Sequence, residues 1–508
     1  MTSQCTGVDR AHSGSGFALN DVAVRLGVQC VPADANESKT VITGISQDSR
    51  RVAAGEIYAA LPGANQHGAA FADEAAARGA VAAVSDRPCP PLPTFVVDGP
   101  RRILGPLAAW IYGEPSRHLD VFGVTGTNGK TSTAYLLSAG LRGAGTEHGL
   151  ISGVSVGGPQ GEHPAVRTTP EASDLQRTLA SLRAQGASAA ALEVSSHALA
   201  LHRVDGIRFR VSVFTNLGPD HLDFHSDLEN YYAAKARLFA AERSAAAVLN
   251  IDDDHGKRLG AELDIPHRTF STTSTAADFY AEHITADEHG TSFVLHHGDE
   301  RGATVRLRLL GAHQVDNALG AIAALALAGV DLDSAVAGMS ELTSVPGRMQ
   351  RIDAGQPFLA FVDYMHNTAG QHRQFRYLRS LTDGKIVVVL GATGERDPSK
   401  RQPLGATAGT LADIVVVTDE SPFSDDADEL RGDIVLGARS ADHAAIVVEP
   451  DRAAAFATAV ALTGPGDVLV VAGRGHDPIQ TFGAVTRAFD DRVELRNALE
   501  HSILLGDR

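Results

Sequence analysis

The sequence predicts an α/β protein of three domains, on the strength of its length, its alternation of short apolar strands with helical patterns, and two restarts of that alternation. A chain of 508 residues exceeds one ordinary core, and usual domain sizes favour about three. We place the boundaries near residues 115 and 345. The predicted domains are 1–115, 116–345 and 346–508.

The first domain is predicted from β-like runs at 41–45 and 94–97 and an Ala-rich helical pattern at 69–79. It should be a small α/β unit. The turn Gly113-Glu-Pro115 then precedes a new apolar strand at 121–124, which places the boundary near 115.

The second and third domains each alternate apolar strands with helices, which predicts mostly parallel sheets covered by helices. In the second domain the strands are expected at 189–192, 211–215 and 246–250, with helices at 172–185 and 228–241. After Val345-Pro-Gly347 the pattern restarts, with strands expected at 358–362, 385–390, 414–417 and 468–471. The last domain should therefore contain an independent, Rossmann-like sheet.

Charge and composition exclude several functional classes. The net charge of −17 disfavours binding to nucleic acid or to an anionic membrane. No run of about 18 apolar residues predicts a membrane span, and the N-terminus lacks a secretion signal, so we expect a cytoplasmic protein. Cys5, Cys30 and Cys89 have no metal-ligand spacing and predict neither a zinc site nor a disulfide framework.

A glycine-rich segment after the strand at 121–124 predicts a nucleotide site. It opens a helical pattern at 133–141, and its phosphate-binding residues are Gly126, Thr127, Asn128, Gly129, Lys130, Thr131 and Ser132. Backbone N–H groups and the helix N-terminus attract phosphate, Lys130 reaches the terminal phosphates, and Thr131 can bind Mg²⁺. The segment is not a full Walker A motif, because Val124 stands five positions before Gly129. ATP is the expected ligand.

Two further polar residues follow predicted strands and are candidates for metal binding and catalysis. Glu193 comes directly after the strand at 189–192, and His221 follows the strand at 211–215. The carboxyl edge of a parallel sheet is where such folds bind ligands, and Mg²⁺ prefers carboxylate oxygens together with phosphates. Taken alone, each residue could equally be part of a solvated loop.

The order and spacing of several motifs resemble the Mur ligases, in particular those that add the third peptide residue to UDP-N-acetylmuramoyl-L-alanyl-D-glutamate. The matching segments are Gln47–Arg50, Gly126–Thr131, Thr168–Pro170, Glu193–His197, Asp220–Asp223, Tyr232–Lys235, Gly311–Asn317, Val345–Met349 and Gly473–Asp477. The resemblance implies a UDP-binding N-terminal domain, a central ATPase domain and a C-terminal domain that receives a free amino acid.

The resemblance also implies roles for individual residues. It implies that Lys235 is carbamylated and helps Thr131, Glu193 and His221 to hold two Mg²⁺ ions, with Lys130 also catalytic. A carbamate is an oxygen-donor anion, which suits Mg²⁺ better than an ammonium does. The implied contacts to ATP are Asn317, Arg348 and Asp363. Those to the UDP-muramyl dipeptide are Ser49, Thr168, Thr169, Ser195 and Arg203.

The amino-acid end departs from the family pattern. The segment Glu420-Ser421-Pro-Phe423 stands where enzymes that add meso-diaminopimelate have Asp-Asn-Pro-Arg, and that arginine pairs with the distal carboxylate of diaminopimelate. Arg396 is expected to hold the α-carboxylate, while Asp419, Glu420 and Asp477 make the surroundings acidic. We therefore expect L-lysine or a related diamino acid.

Another departure leaves two alternatives open. Met365 and the loss of a proline alter the loop at 365–369, which allows a catalytically inactive ATP-binding subunit. A paralogue acting on a different acceptor, such as a folylpolyglutamate synthetase or an amide ligase of secondary metabolism, is the other alternative. Retention of Lys130, Glu193 and Lys235 opposes the first, and the dipeptide-binding residues Ser49, Thr168, Thr169 and Arg203 oppose the second.

Overall fold

Three mixed α/β domains follow one another along the chain, each built around its own β-sheet. The computed structural model describes residues 17–31, 40–63, 65–298 and 302–506. Cys5 lies outside these residues, whereas Cys30 and Cys89 are buried in the first domain. The predicted domain boundaries fall between the three sheets and remain predictions.

The N-terminal domain contains a five-stranded sheet. Its strands, in spatial order, are Cys30–Val31, Thr94–Val96, Ala82–Ser85, Glu56–Ala60 and Gly44–Ser46, of which the first pair is antiparallel and the rest are parallel. Its helices are Leu19–Leu26, Ala72–Ala77 and Pro100–Ile111. The predicted helix at 69–79 is shorter in the structure, because the chain enters it through a 3₁₀ turn, Gly68–Phe71.

The central domain contains an eleven-stranded sheet. In spatial order its strands are Ala303–Leu307, Gly290–His297, Phe279–Asp287, His267–Ser271, Ala247–Asn250, Val211–Phe214, Asp120–Thr125, Ala189–Glu193, His148–Ile151, Ser155–Gly158 and Gly161–Pro164. The seven strands from Phe279–Asp287 to His148–Ile151 are parallel, and the two at each edge are antiparallel. The antiparallel edges were not predicted.

Helices cover both faces of the central sheet. They are Lys130–Gly143, Ala172–Ala184, Ser196–Ala200, Leu222–His225, Leu228–Ala236, Asp254–Glu262, His313–Ala328 and Leu332–Ser340. The helix predicted at 228–241 ends at Ala236 and tightens into a 3₁₀ turn, Arg237–Phe239. Leu238 and Phe239 are thereby buried in the core, so tertiary packing shortened the α-helix.

The register of the central strands brings three loops to one edge of the sheet. Glu193 lies opposite Val124, and Phe214 lies opposite Thr125. The chain therefore leaves all three parallel strands at the same level, and the segments that follow them are neighbours. This edge is where the glycine-rich segment, Glu193 and Asn216 meet.

The C-terminal domain contains a separate six-stranded sheet. Its strands, in spatial order, are Gln350–Arg351, Leu359–Val362, Val468–Val471, Ile386–Leu390, Ile414–Val417 and Ala445–Val448, and only the first pair is antiparallel. The helices are Thr368–Ser380, Arg401–Leu411, Ala427–Arg439, Arg452–Leu462 and Asp491–Gly506, and a hairpin pairs Ile479–Phe482 with Val485–Ala488. In the described part of the chain, no helix is long and apolar enough to cross a membrane.

Candidate active site

A cavity of about 1150 Å³ lies where the central and C-terminal domains face each other. Most of the sequence-predicted site residues line it, namely Thr127, Asn128, Gly129, Lys130, Thr131, Ser132, Thr168, Thr169, Glu193, Ser195, Arg203, His221, Lys235, Asn317, Arg348, Asp363, Arg396, Glu420, Ser421, Phe423 and Asp477. Ser49, Gly126 and Asp419 are not in the lining. One continuous space thus joins the predicted sites for nucleotide, dipeptide and amino acid.

The glycine-rich segment adopts a compact turn between strand Asp120–Thr125 and helix Lys130–Gly143. Gly126 and Gly129 have φ angles of 148° and 88°, and a Cβ at Gly129 would clash with the Asn317 side chain. Lys130 Nζ folds back and donates to the carbonyl of Thr127 over 2.8 Å. Burial lowers the pKa of Lys130, which shows how poorly water solvates this ammonium.

Glu193 and Thr131 form the base of the phosphate site. The Thr131 hydroxyl donates to Glu193 Oε2 over 3.0 Å, and the same oxygen accepts the Gly153 backbone N–H at 3.0 Å. Arg348 of the C-terminal domain donates to the Thr131 hydroxyl over 3.2 Å, and its guanidinium stacks 4.1 Å above the Tyr364 ring. A hydroxyl, a carboxylate and a cation therefore meet at the helix N-terminus.

Lys235 is the most deeply buried lysine of the site, with 1% of its surface exposed. Its Nζ donates to the Gly126 carbonyl over 2.7 Å and lies 4.4 Å from the Tyr231 ring centre. Burial, helped by the charge of Lys130, lowers the pKa of Lys235 well below its ordinary value. The environment thus disfavours the charged ammonium relative to the uncharged amine, which is the form that carbamylation requires.

His221 lies beside the buried carboxylate of Asp220, which contacts residues of both the central and the C-terminal domain. Its φ of 54° places it in the left-handed region, and its backbone N–H donates to Asp220 Oδ1 over 3.0 Å. Asp220 also pairs with Lys400 and lies 3.6 Å from His366 Nε2, both from the C-terminal domain. Burial would raise the pKa of Asp220, but these cationic and hydrogen-bonding neighbours hold it below its ordinary value. Burial lowers the pKa of His221 to about 3, so its imidazole is neutral.

The predicted dipeptide-binding residues lie on the central-domain wall. Thr169 Oγ1 donates to the Glu193 carbonyl over 2.9 Å, and Ser195 caps the helix Ser196–Ala200. Arg203 pairs with Glu171 at 2.9 Å, and its buried Nε has no hydrogen-bond partner. Ser49 instead donates to Glu74 within the N-terminal domain and does not reach the cavity.

The altered loop at 365–369 keeps a defined conformation. Asp363 accepts the backbone N–H groups of Met349 and Met365 at 2.6 and 2.8 Å. Its carboxylate therefore links the start of the loop to the segment that contains Met349. Burial raises the pKa of Asp363. Met365 packs into the C-terminal core, and the Asn367 side chain caps the helix Thr368–Ser380 by accepting the Gly370 N–H. The altered loop therefore has defined contacts with its surroundings, and its effect on activity stays open.

The amino-acid end of the cavity is acidic. Glu420 is 3% exposed; its Oε2 accepts the Thr393 hydroxyl at 2.7 Å, and its Oε1 has no hydrogen-bond partner. Burial and the nearby charge of Glu420 raise the pKa of Asp477, against the opposing charges of Arg474 and Arg348. Phe423 and Arg396 also line the cavity, and Arg396 forms no ion pair with any described residue.

The expected role of Asp419 in this acidic end does not fit its position. Its carboxylate pairs with Arg431, which also pairs with Asp428, and it does not line the cavity. Successive residues of an extended segment point in opposite directions, so Glu420 faces the cavity while Asp419 faces the helix Ala427–Arg439. The structure therefore gives Asp419 an ion-pair partner outside the cavity, and its contact with the amino acid stays a prediction.

Several lining residues were not predicted from sequence, although some lie inside recognised motifs. Asp220 belongs to the matching segment Asp220–Asp223, whereas Lys400 lies in none of those segments, and the pair forms only where the central and C-terminal domains meet. His313, Arg373 and Gln374 line the part of the cavity beyond Asn317. His313 lies inside the matching segment Gly311–Asn317, whereas no short-range pattern distinguishes Arg373 and Gln374 from ordinary helix surface, so only the tertiary structure could identify those two.

The donor set suits Mg²⁺ held mainly by substrate phosphates. In the described part of the chain no three His, Cys, Asp or Glu side chains cluster as a metal site. Thr131 and Glu193 nevertheless present two oxygen ligands at the phosphate-binding turn. Mg²⁺ often takes only one or two protein oxygens and completes its shell with phosphate and water. The residues present therefore fit such an ion.

Comparison with protein-family models gives three matches along the chain. Residues 41–91 match the Mur ligase family catalytic domain, residues 124–325 the Mur ligase middle domain, and residues 347–475 the Mur ligase glutamate ligase domain. The three matches follow the order of the three sheets.

Individual relatives match over almost the whole chain. A Streptomyces avermitilis protein named UDP-N-acetylmuramoyl-L-alanyl-D-glutamate–2,6-diaminopimelate ligase is 44% identical, covering 96% of this chain and 97% of the relative. A protein of the same name from Xanthomonas campestris pv. campestris is 40% identical over 94% and 98% of the two chains. A solved structure with this name has a TM-score of 0.63 at 30% identity, covering 91% of this chain and 96% of its own.

Proposed function

Because the chain belongs to the Mur ligase family, we propose that it uses ATP to join a free amino acid to UDP-N-acetylmuramoyl-L-alanyl-D-glutamate in peptidoglycan precursor synthesis. The observation that carries this proposal is the single cavity that unites the phosphate-binding turn, Glu193, Arg203 and the acidic end. A cytoplasmic location is part of the proposal, since the reaction consumes ATP.

The chemistry requires activation of a carboxylate and its capture by an amine. The D-glutamyl γ-carboxylate attacks the γ-phosphorus of ATP, giving an acyl phosphate and ADP. The α-amine of the amino acid then attacks the acyl carbon, phosphate leaves, and the amine loses a proton. Positioning and charge stabilisation account for most catalysis in such transfers, because little covalent chemistry falls to the protein.

The charged residues of the phosphate end have roles in these reaction steps. Lys130 and Arg348 stabilise the negative charge on the transferred phosphoryl group. Thr131 and Glu193 would hold one Mg²⁺, and His221 with carbamylated Lys235 would help to hold a second. These ions would neutralise phosphate charge. The neutral state of His221 and the lowered pKa of Lys235 support these assignments.

We also propose that the amino acid is L-lysine or a close relative, although the relatives described above are named for 2,6-diaminopimelate. Diaminopimelate brings a second carboxylate, and the arginines near this end are engaged elsewhere. Arg401 pairs with Asp425 at 2.9 Å and with Asp433 at 3.5 Å, and Arg474 is buried among protein acceptors. Arg396 can hold one carboxylate, not two.

The unpaired Oε1 of Glu420 is what a terminal ammonium would satisfy. A buried carboxylate oxygen without a partner is costly, and Asp477 adds a second acidic group. A carboxylate 4 Å from an ammonium gains roughly 4 kcal/mol of gross attraction at an effective dielectric of about 20, most of which desolvation offsets. The net preference should therefore be modest.

The experiment that tests the proposed reaction combines ADP release with product mass. Purified protein is incubated with ATP, Mg²⁺, UDP-N-acetylmuramoyl-L-alanyl-D-glutamate and single amino acids, with each substrate omitted in turn. We expect ADP release that depends on all three substrates and a product one residue heavier. ATP hydrolysis without ligation, or ligation only to a different acceptor, would contradict the proposal.

A further inference from the structure

Arg474 is a largely buried cation in the lining of the amino-acid end, and the proposed reaction does not use it. Its side chain is 3% exposed, and it lies in the loop after strand Val468–Val471, three residues before Asp477. Its Nη1 donates to Ser421 Oγ over 2.9 Å. We call the segment Glu420–Ser421 the first wall of the amino-acid end and the segment from Arg474 to Ile479 the second wall. Arg474 therefore lies in the second wall and donates a hydrogen bond to the first.

The other terminal nitrogen of Arg474, Nη2, donates hydrogen bonds within the second wall, the segment that carries Asp477. Arg474 Nη2 donates to the carbonyl oxygens of Asp477 at 3.2 Å and Phe489 at 3.3 Å, and also to that of Ile479. Ser421 Oγ accepts in addition the Thr481 N–H at 3.2 Å. One planar group thus connects the segment that carries Glu420 to the segment that carries Asp477.

Arg474 also shares a carboxylate with a second buried arginine. Arg474 Nε lies 3.6 Å from Asp491 Oδ1, and the same carboxylate receives two hydrogen bonds from the fully buried Arg452, at 2.9 and 2.6 Å. Arg452 otherwise donates to the Ala472 carbonyl and lies 5.3 Å from the Phe456 ring centre; among the described residues it donates no hydrogen bond to Ser421 or to the segment from Asp477 to Ile479. The two arginines therefore share a counterion but contact different segments.

From these contacts we propose that Arg474 is a positioning residue, which fixes the separation of the Glu420 and Asp477 carboxylates and so the length of amino-acid side chain that the site accepts. This inference rests on the proposed function, since it concerns the amino-acid site. A guanidinium suits the task, because it offers five donors in a rigid plane and can reach several acceptors at once. An ammonium or an apolar side chain could not reach Ser421 and the three carbonyls together.

The test compares substrate-length preference in four variants. Wild type, Arg474→Lys, Arg474→Met and Ser421→Ala are assayed with L-2,4-diaminobutyrate, L-ornithine, L-lysine and meso-diaminopimelate, and KM is measured separately for ATP and for the UDP-dipeptide. Arg452→Lys is the matched control, since it disturbs the same Asp491 carboxylate and keeps a positive charge, but removes no hydrogen bond to Ser421 or to the segment from Asp477 to Ile479. Thermal unfolding identifies which variants fold.

We expect Arg474→Met to raise KM for the preferred amino acid roughly tenfold and to flatten the preference among chain lengths. KM for ATP should stay within about twofold. Ser421→Ala should give a smaller change in the same direction, and Arg474→Lys an intermediate one. Arg452→Lys should lower the melting temperature and keep the wild-type preference.

Two results would overturn the inference. One is a folded Arg474→Met or Arg474→Lys enzyme with the wild-type length preference and amino-acid KM. The other is an equal rise in KM for all three substrates, which would indicate a general structural role. If Arg474→Met does not fold, Arg474→Lys and Ser421→Ala decide the question. A wild-type enzyme that ligates none of these amino acids would instead overturn the proposed function.

Discussion

The phosphate end and the amino-acid end of the cavity are built in different ways. At the phosphate end, backbone geometry sets the site, because parallel strands in fixed register deliver the glycine-rich turn and Glu193 to one edge. At the amino-acid end, Glu420 and Asp477 lie on separate loops, and buried side-chain contacts through Arg474 connect them. We therefore expect the geometry of the phosphate end to tolerate substitutions of side chains around it. At the amino-acid end, by contrast, a single substitution can change which amino acid is preferred.

Loss of the phosphate-end cation should have the largest effect. We expect Lys130→Ala to lower kcat roughly 10³-fold, because it removes a cation that stabilises the charge on the transferred phosphoryl group. ADP release and ligated product should fall together. Lys257→Ala, which removes an exposed lysine on the helix Asp254–Glu262, is the control and should behave as wild type. Near-normal turnover by Lys130→Ala would show that the turn does not bind the reacting phosphate.

The second prediction concerns Lys235 and dissolved carbon dioxide. Its buried amine has a strongly lowered pKa, so it should react with CO₂ near neutral pH. Depleting CO₂ should lower wild-type activity, and bicarbonate should restore it. Lys235→Ala should lose roughly 10²-fold in kcat and gain nothing from bicarbonate. ¹³C NMR with labelled bicarbonate should show a carbamate signal in wild type only, and an active, metal-loaded enzyme without that signal would argue against the modification.

The same difference separates the features that could be predicted from the sequence from those that could not. The three-domain α/β fold and the phosphate-binding turn follow from short-range patterns, namely strand periodicity and glycine spacing. The antiparallel strands after Phe279 were missed, because hairpins at a sheet edge depend on pairing with the rest of the sheet. Asp419 was assigned to the site because neighbouring acidic residues cannot be told apart without knowing which one faces the cavity.

The third prediction tests how the C-terminal domain closes on the phosphate end. Lys400 pairs with Asp220, whose side chain is 3% exposed, so Lys400→Met leaves a buried carboxylate with fewer cationic partners. We expect kcat/KM to fall about tenfold or more, with Lys400→Arg recovering part of the loss. Lys385→Met, on an exposed part of the same domain, is the control. Equal activity of Lys400→Met and wild type would show that the pair does not support catalysis.

The smallest expected effect decides the identity of the amino acid. Phe423 lines the amino-acid end, and its backbone is fixed by the hairpin, since its N–H donates to Thr481 and its carbonyl accepts from Gly483. Phe423→Arg should therefore place a cation at this end without moving the loop. We expect wild type to have the higher kcat/KM for L-lysine, and Phe423→Arg to shift the ratio towards meso-diaminopimelate about tenfold, or roughly 1.4 kcal/mol. Phe423→Leu is the control and should keep the wild-type ratio, because it removes the ring without adding charge.

If wild-type enzyme already prefers meso-diaminopimelate, Arg396 and its neighbours must accommodate both carboxylates, and the acidic pair Glu420 and Asp477 would then bind the distal amine rather than select against the acid.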